Sequence, residues 1–367
     1  MRVIICGAGV VGACSAFELA KRGVETVVVE RAAVACAASS GSGGFLARDW
    51  CDGTPLEALA RRSYVRHAEL VDELADEPAD EPGENWGYRP VETLSVAAAE
   101  GAGRSASDAP DRPAWLDESC VVQGRLGTER DTAQVDPGAF TRAMMAAAQA
   151  RGARLMIGRV EAVAPGRTPA VIVDGTHMTA DAVVLALGPW SAIARTWLPI
   201  PAVFGLKGQS ITFRAPQITT THNLFVDYRF ADGSTAQPEI IPRPDGTLYV
   251  CGLSHQTPVP LDPWAITPDA DRLERLRRMA LHVIPSLRDA EVLVERACFR
   301  PVTADGLPLI GPHADHERIL LATGHSVWGI LNAPATGEAL AELLTTGETK
   351  SVPLAPFAPS RRTGTGR

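Results

Sequence analysis

The chain has 367 residues, 46% of them hydrophobic and 21% charged, enough for two domains and a large core. A formal net charge of −8 leaves no basic surface to hold nucleic acid, and no apolar run is long enough to span a membrane. Seven cysteines show neither a CxxC pair nor metal-ligand spacing, so no metal site is expected and the thiols are expected to stay reduced.

The first thirty residues read as strand, glycine turn, helix, strand. Val3 to Cys6 is a short apolar run, as a buried parallel strand requires. Gly7, Gly9 and Gly12 follow in G-x-G-x-x-G spacing, opening an amphipathic helix through Lys21 that Gly23 closes. Thr26 to Val29 form a second strand ending in Glu30, eighteen residues past Gly12. Gly7 permits the tight turn, Gly9 lets backbone approach a pyrophosphate, and Gly12 lets helix and strand pack closely. The helix N-terminus, with Val10 and Val11, offers N–H groups and a positive dipole end to phosphates. Glu30 is placed to accept hydrogen bonds from a ribose 2′-OH. The segment therefore reads as a dinucleotide site. The N-terminus enters its strand at once, so no signal peptide and a cytoplasmic location are expected.

Ala32 to Gly44 is dense in Ala, Ser and Gly; its Ser39, Ser40, Gly41, Gly43 and Gly44 can wrap a phosphate closely. Pro55 to Glu73 reads as a helix. Asp76 to Gly87 and Ala99 to Pro113 read as exposed loops. Asp136-Pro137 is a helix start, N-cap then Pro at N1, for a helix ending at Gly152. Short strands follow at Arg154–Ile157, Arg159–Val163 and Ala170–Val173. Another buried strand leads into Gly188-Pro189-Trp190-Ser191. From Gly205 to Ser254 the pattern becomes strands and turns, with a turn at Pro244-Asp245-Gly246, which predicts a second domain on its own antiparallel sheet. Thr267 to Ile284 is an amphipathic helix and Glu291 to Phe299 a strand. Ile319 to Ala322 is a last core strand. It runs into the glycine-rich stretch 324–337, which opens a final helix through about Thr345. That is a second glycine-preceded helix N-terminus, able to face the other end of a flavin, where negative charge gathers on reduction. The Pro-, Arg- and Gly-rich tail, residues 351–367, is expected to be disordered.

Five stretches carry a family resemblance: Gly7/Gly9/Gly12/Glu30, ASSGSGG (38–44), VVLALGPWS (183–191), RPVTADGLPLIG (300–311) and GHSVWGILNAPATG (324–337). In these the chain resembles the D-amino acid oxidase superfamily of FAD-dependent oxidoreductases, on its glycine oxidase and sarcosine oxidase side. The resemblance implies an α/β plus β fold: a Rossmann-like FAD-binding domain of the GR2 type and an interleaved, mostly antiparallel substrate-binding sheet domain. The FAD domain is expected from residues 1–85, 134–204 and 295–350, and the substrate domain from 86–133 and 205–294. The resemblance implies oxidation of a C–N bond of a small-molecule amine or amino acid. A hydride passes to flavin N5, the imine hydrolyses, and O2 is the expected acceptor. Matching positions put Gly7, Gly9, Gly12, Glu30, Arg31, Ser39, Ser40 and Gly44 at the AMP half of FAD, and Gly43 is also expected to bind the cofactor. Val160 falls at the adenine, and Gly188, Trp190, Gly329, Ile330 and Leu331 fall near the rest, with Gly324 and Val327 also expected to bind the cofactor.

Arg300 stands where glycine oxidases hold a substrate carboxylate, and a guanidinium suits that bidentate role. His325 and Trp328 are candidates to touch flavin or substrate. Three departures stand out. Glu239 replaces a tyrosine, Val327 replaces an arginine, and the strand LYVCG is expected to put Val250 where sarcosine oxidases carry an oxygen-promoting lysine. Cys298 lies where sarcosine oxidases attach flavin covalently, but non-covalent FAD is expected. A flavin dehydrogenase with another acceptor, a non-catalytic flavoprotein and an NAD-dependent enzyme are the alternative readings.

Overall fold

Val3, Ile4, Ile5 and Cys6 are fully buried, as a strand covered on both faces must be. They form part of Arg2–Cys6, near the centre of a six-stranded sheet in the computed structural model, which describes residues 1–75, 86–103 and 112–361. The sheet order is Leu309–Pro312, Ile319–Thr323, Ala182–Leu185, Arg2–Cys6, Glu25–Glu30, Arg154–Ile157. It is parallel except at Leu309–Pro312, which runs against Ile319–Thr323. One face carries helices α1 (Val10–Lys21), α2 (Glu57–Glu73) and α3 (Pro137–Ala150). Asp136 caps α3 as its sequence predicts, its Oδ1 accepting from Ala139 N at 2.7 Å. The other face is covered by a three-stranded meander, Val160–Ala164, Ala170–Val173 and Thr176–Thr179. The last strand of that meander was not expected. Its signal is the dipeptide Asp174-Gly175, both at positive φ, which closes a hairpin.

The second sheet has eight strands. Its main path is Val292–Thr303, Val203–Arg214, Thr247–Gln256, Glu239–Pro242, His222–Arg229, Glu92–Ala99, Val121–Gly127. Only the His222–Arg229 and Glu92–Ala99 pair is parallel. One face buries Ile211, Phe213, Ile240 and Val250 against Leu273, Leu276 and Met279 of α4 (Ala270–Val283). The other faces the six-stranded unit. The expected boundary at 295 falls inside Val292–Thr303, which pairs with Val203–Arg214 along its length and carries Cys298 and Arg300 into this sheet.

The final helix α5 (Gly329–Thr346) begins inside the glycine-rich stretch and contains Pro334. It packs so closely on α1 that a Cβ at Gly337 would stand 2.6 Å from the Cys14 backbone. The tail is a correction. Residues through 361 are packed: Val352 and Phe357 are buried, and Arg361 pairs with Asp305 at 2.8 Å. Two apolar anchors and an ion pair outweigh a loop-like composition. Residues 362–367 and the bulk of the two expected loops, 76–85 and 104–111, lie outside the described residues. Among the described residues, no helix is long and apolar enough to cross a membrane.

Candidate active site

One cavity of about 590 Å³ runs from the end of Glu25–Glu30, past the starts of α1 and α5, to the inner face of the eight-stranded sheet. It lies at the carboxyl ends of parallel strands, where ligands of such sheets bind.

The α1 end is built locally. Gly7 sits at φ +111°, and a Cβ there would meet Ala186 O at 2.4 Å. A Cβ on Gly12 would stand 1.9 Å from Gly7 O, so this glycine is required by packing. Gly9 is different: a Cβ there would meet only Ser39 Oγ, at 3.2 Å, and the residue opens on the cavity. Ser39 Oγ accepts from Val10 N at 2.9 Å, acting as a cap supplied from outside the helix. Glu30 accepts from Ala8 N at 2.8 Å and Ala32 N at 3.0 Å, fixing the strand end to the glycine turn.

The α5 end is built from afar. Pro334 has no N–H to give the carbonyl of Ile330, four residues back. His67 Nε2 of α2 meets that carbonyl instead, at 3.0 Å. A carbonyl only accepts, so Nε2 carries the ring proton. One turn earlier on α2, Ser63 Oγ accepts from Ala335 N at 3.1 Å. Burial pushes His67 down to about 4, so the ring is neutral at pH 7. His325 is likewise buried and pushed down to about 4. Thr336 gives its hydroxyl proton to Asn332 O at 2.8 Å, so His325 Nε2 donates to Thr336 Oγ1 at 3.1 Å.

The sheet face carries the remaining groups. In register, Phe225 lies opposite Glu239, and Glu239 opposite Cys251. All three line the cavity. Arg300, two strands beyond, lies across Gly208 and donates to Ser254 Oγ. Arg300 Nη2 lies 3.5 Å from where a Cβ on Gly208 would stand, an ordinary contact distance. Ser254 is turned inward by a bulge at Leu253, whose φ is +53°. Burial raises the Glu239 carboxyl above its ordinary range, while the Arg300 charge and the Cys251 thiol pull it back. Tyr249 OH donates to Gly41 O at 2.8 Å, and Cys298 Sγ donates to the same oxygen at 3.4 Å. Burial raises the Cys298 thiol.

Of the residues expected at the site, all but Gly12, Ser40, Gly324 and Leu331 line this cavity. Ser40 Oγ is turned away to donate to Ala35 O at 2.5 Å, and Leu331 is buried in the helical core. Gly324 sits at φ +81°, where a Cβ would stand 2.7 Å from Thr303. Arg31 lines the cavity and donates to Leu261 O. Val250 is a correction: it points into the α4 side of the sheet, and the alternation of the strand gives the cavity Tyr249 and Cys251. Sequence reasoning missed Ser42, Phe45, Trp50, Phe225, Tyr249 and Cys251. The Ser42 signal was its place in ASSGSGG; the others had none stronger than strand alternation.

The donor set fits FAD. Two helix N-termini face one cavity, glycines line its phosphate end, and Glu30 stands at the strand end. Ser42 Oγ is buried on the wall with no hydrogen-bond partner among the described residues.

The family model described as FAD dependent oxidoreductase matches residues 2–343. A glycine oxidase of Bacillus licheniformis is 31% identical, over 98% of this chain and 97% of its own. A putative oxidoreductase of Schizosaccharomyces pombe is 30% identical over 95% of each. The crystal structure of glycine oxidase from Geobacillus kaustophilus superposes with a TM-score of 0.85 at 26% identity, covering 99% of this chain and 100% of that one.

Proposed function

Because the chain belongs to the FAD-dependent oxidoreductase family of the D-amino acid oxidase superfamily, on its glycine oxidase-like branch, and is an FAD-dependent amino-acid oxidoreductase, we propose that it oxidises the C–N bond of an amine or amino acid larger than glycine or N-substituted. The observation that carries this is that Arg300 and Glu239 line one cavity, close enough for the Arg300 charge to lower the pKa of the Glu239 carboxyl. FAD, when bound, supplies a hydride acceptor at N5, with O2 taking the electrons onward to hydrogen peroxide.

The chain's own residues do the rest. Arg300 holds one carboxylate, its guanidinium aligned by Ser254. Glu239 accepts a hydrogen bond from the substrate nitrogen, and its charge opposes a second carboxylate. Val327 and Trp328 make the neighbouring wall apolar. Neutral His325 holds the turn before α5 through Thr336. The six-stranded unit takes the cofactor, with the α1 end and Ser39 at the pyrophosphate and Val160 at the adenine. FAD is held non-covalently: Cys298 is engaged with Gly41 O, and its raised thiol is a poor source of thiolate. Acid precipitation accordingly releases the yellow colour into the supernatant.

The test is an anaerobic flavin-bleaching screen over amines and amino acids. Glu239→Gln should weaken the best substrate about tenfold or more, as loss of a charged hydrogen-bond partner implies, with FAD still bound. Glycine as the best substrate, or a silent Glu239→Gln, overturns this account of the pocket.

A further inference from the structure

The chain contains seven Trp and nine Phe. Four of these sixteen, Phe45, Trp50, Phe225 and Trp328, gather on one wall of the cavity. Phe45, Trp50 and Phe225 form a closed triangle, with ring centroids 4.9, 5.0 and 4.9 Å apart and tilted or edge-on planes. Trp328 stands edge-on to Trp50 at 6.3 Å. All four are only half-buried, and Phe45, Trp50 and Phe225 belong to none of the three hydrophobic cores. Full burial of such side chains stabilises a fold, so three rings left half-buried at a cavity wall contribute less to stability than they could. Their geometry favours a further ring, since aromatic pairs prefer these tilted and edge-to-face arrangements. Trp50 is fixed: its indole N–H donates to Leu126 O at 3.2 Å, leaving carbon for the cavity.

The wall has a direction. Across the sheet the order is Phe225, then Glu239, then Cys251, then Arg300 reaching back over Gly208. An α-amino acid carries side chain, amine and carboxylate on one carbon, so its three groups can reach toward these three parts of the wall at once. Phe225 is one strand spacing, about 4.8 Å, from Glu239, which a benzyl group spans and a methyl does not.

We propose that Phe45, Trp50, Phe225 and Trp328 form a specificity subsite for an aromatic side chain of the amino-acid substrate. The carboxylate goes to Arg300, the nitrogen to Glu239 and the ring into the aromatic wall. This rests on the amino-acid oxidation proposed above, and its test separates the two.

The FAD-loaded protein is titrated with phenylacetate and with acetate, neither of which can reduce the flavin, and the flavin absorbance change gives each Kd. Phenylacetate should bind at least tenfold tighter than acetate. Trp50→Leu and Phe225→Leu should each remove most of that preference, leaving the acetate Kd and the FAD content unchanged. In the bleaching assay, phenylalanine of one configuration should outrun alanine in kcat/KM, and the same variants should narrow the gap. If no amino acid bleaches the flavin but the phenylacetate preference stands, the subsite holds and the oxidation proposal falls. Equal affinity for the two carboxylates in the wild-type protein overturns the subsite. So does loss of FAD in both leucine variants, which would assign the rings to the cofactor.

Discussion

The two helix N-termini that face the cavity are built in opposite ways. The α1 end is made by its own neighbours: three glycines, Glu30 and Ser39, all within forty residues of the N-terminus. The α5 end contains a proline in its second turn and depends on Ser63 and His67, some 270 residues away in sequence. A local site can be encoded as a spacing. A distant one needs the fold to be in place first, and α2 serves both as a wall of the core and as the missing partner of α5.

Substitutions can break that contrast, and Gly12→Ala should do most damage. Its Cβ would overlap the Gly7 carbonyl, which is backbone and cannot step aside. Purified protein should carry almost no FAD and melt well below wild type; a yellow, stable variant would mean that the glycine turn is looser than its packing shows.

Gly9→Val should separate binding from folding. Only Ser39 Oγ lies near its Cβ, so the helix should form as before while the pyrophosphate path is blocked. The expected product is a folded, colourless protein with a circular dichroism spectrum like that of wild type. Full FAD loading would remove the α1 end from the cofactor site.

At the other end, His67→Ala should cost about 3 kcal/mol in urea unfolding, from a cavity plus an unpaired Ile330 carbonyl. Pro334→Ala restores the missing N–H. In that background the same substitution should cost measurably less; equal costs would show that His67 acts through packing alone.

The fourth expectation concerns acid. His67 has a folded pKa of about 4, below its ordinary 6.5, so on acidification the unfolded chain takes the proton first. Its contribution is complete above pH 6.5 and is lost as pH falls from there towards 4. One unit below 6.5 the loss is about 1.4 kcal/mol. Melting curves from pH 7 to 5.5 should therefore fall less steeply for His67→Gln than for wild type. Parallel curves would rule out this histidine as a source of acid sensitivity.

The smallest effect is expected for Ser63→Ala, about 1 kcal/mol, because the Ala335 N–H loses its acceptor. No change in unfolding free energy would mean that this N–H finds another partner, and the α5 end would then rest on His67 alone.

By itself the sequence determined whatever depends on residues a few positions apart. The α1 fingerprint, the Asp136-Pro137 helix start, the alternation of the antiparallel strands and the order of the family motifs were all legible, since each is set by local geometry and spacing. Tertiary structure alone decided which face of each strand meets the cavity. A one-residue change of phase exchanges the two faces, so Val250 went to the core and Tyr249 and Cys251 to the site. The bulge at Leu253 then turned Ser254 to Arg300, an irregularity that no period announces. The aromatic wall was equally hidden, because its four rings come from three distant segments joined only by sheet register and packing. The tail teaches the same lesson from composition: Pro- and Arg-rich sequence reads as disorder until Phe357 finds a core and Arg361 finds Asp305. Local sequence sets what each segment can do; pairing between distant segments, driven by buried area, decides which of those capacities the cavity receives.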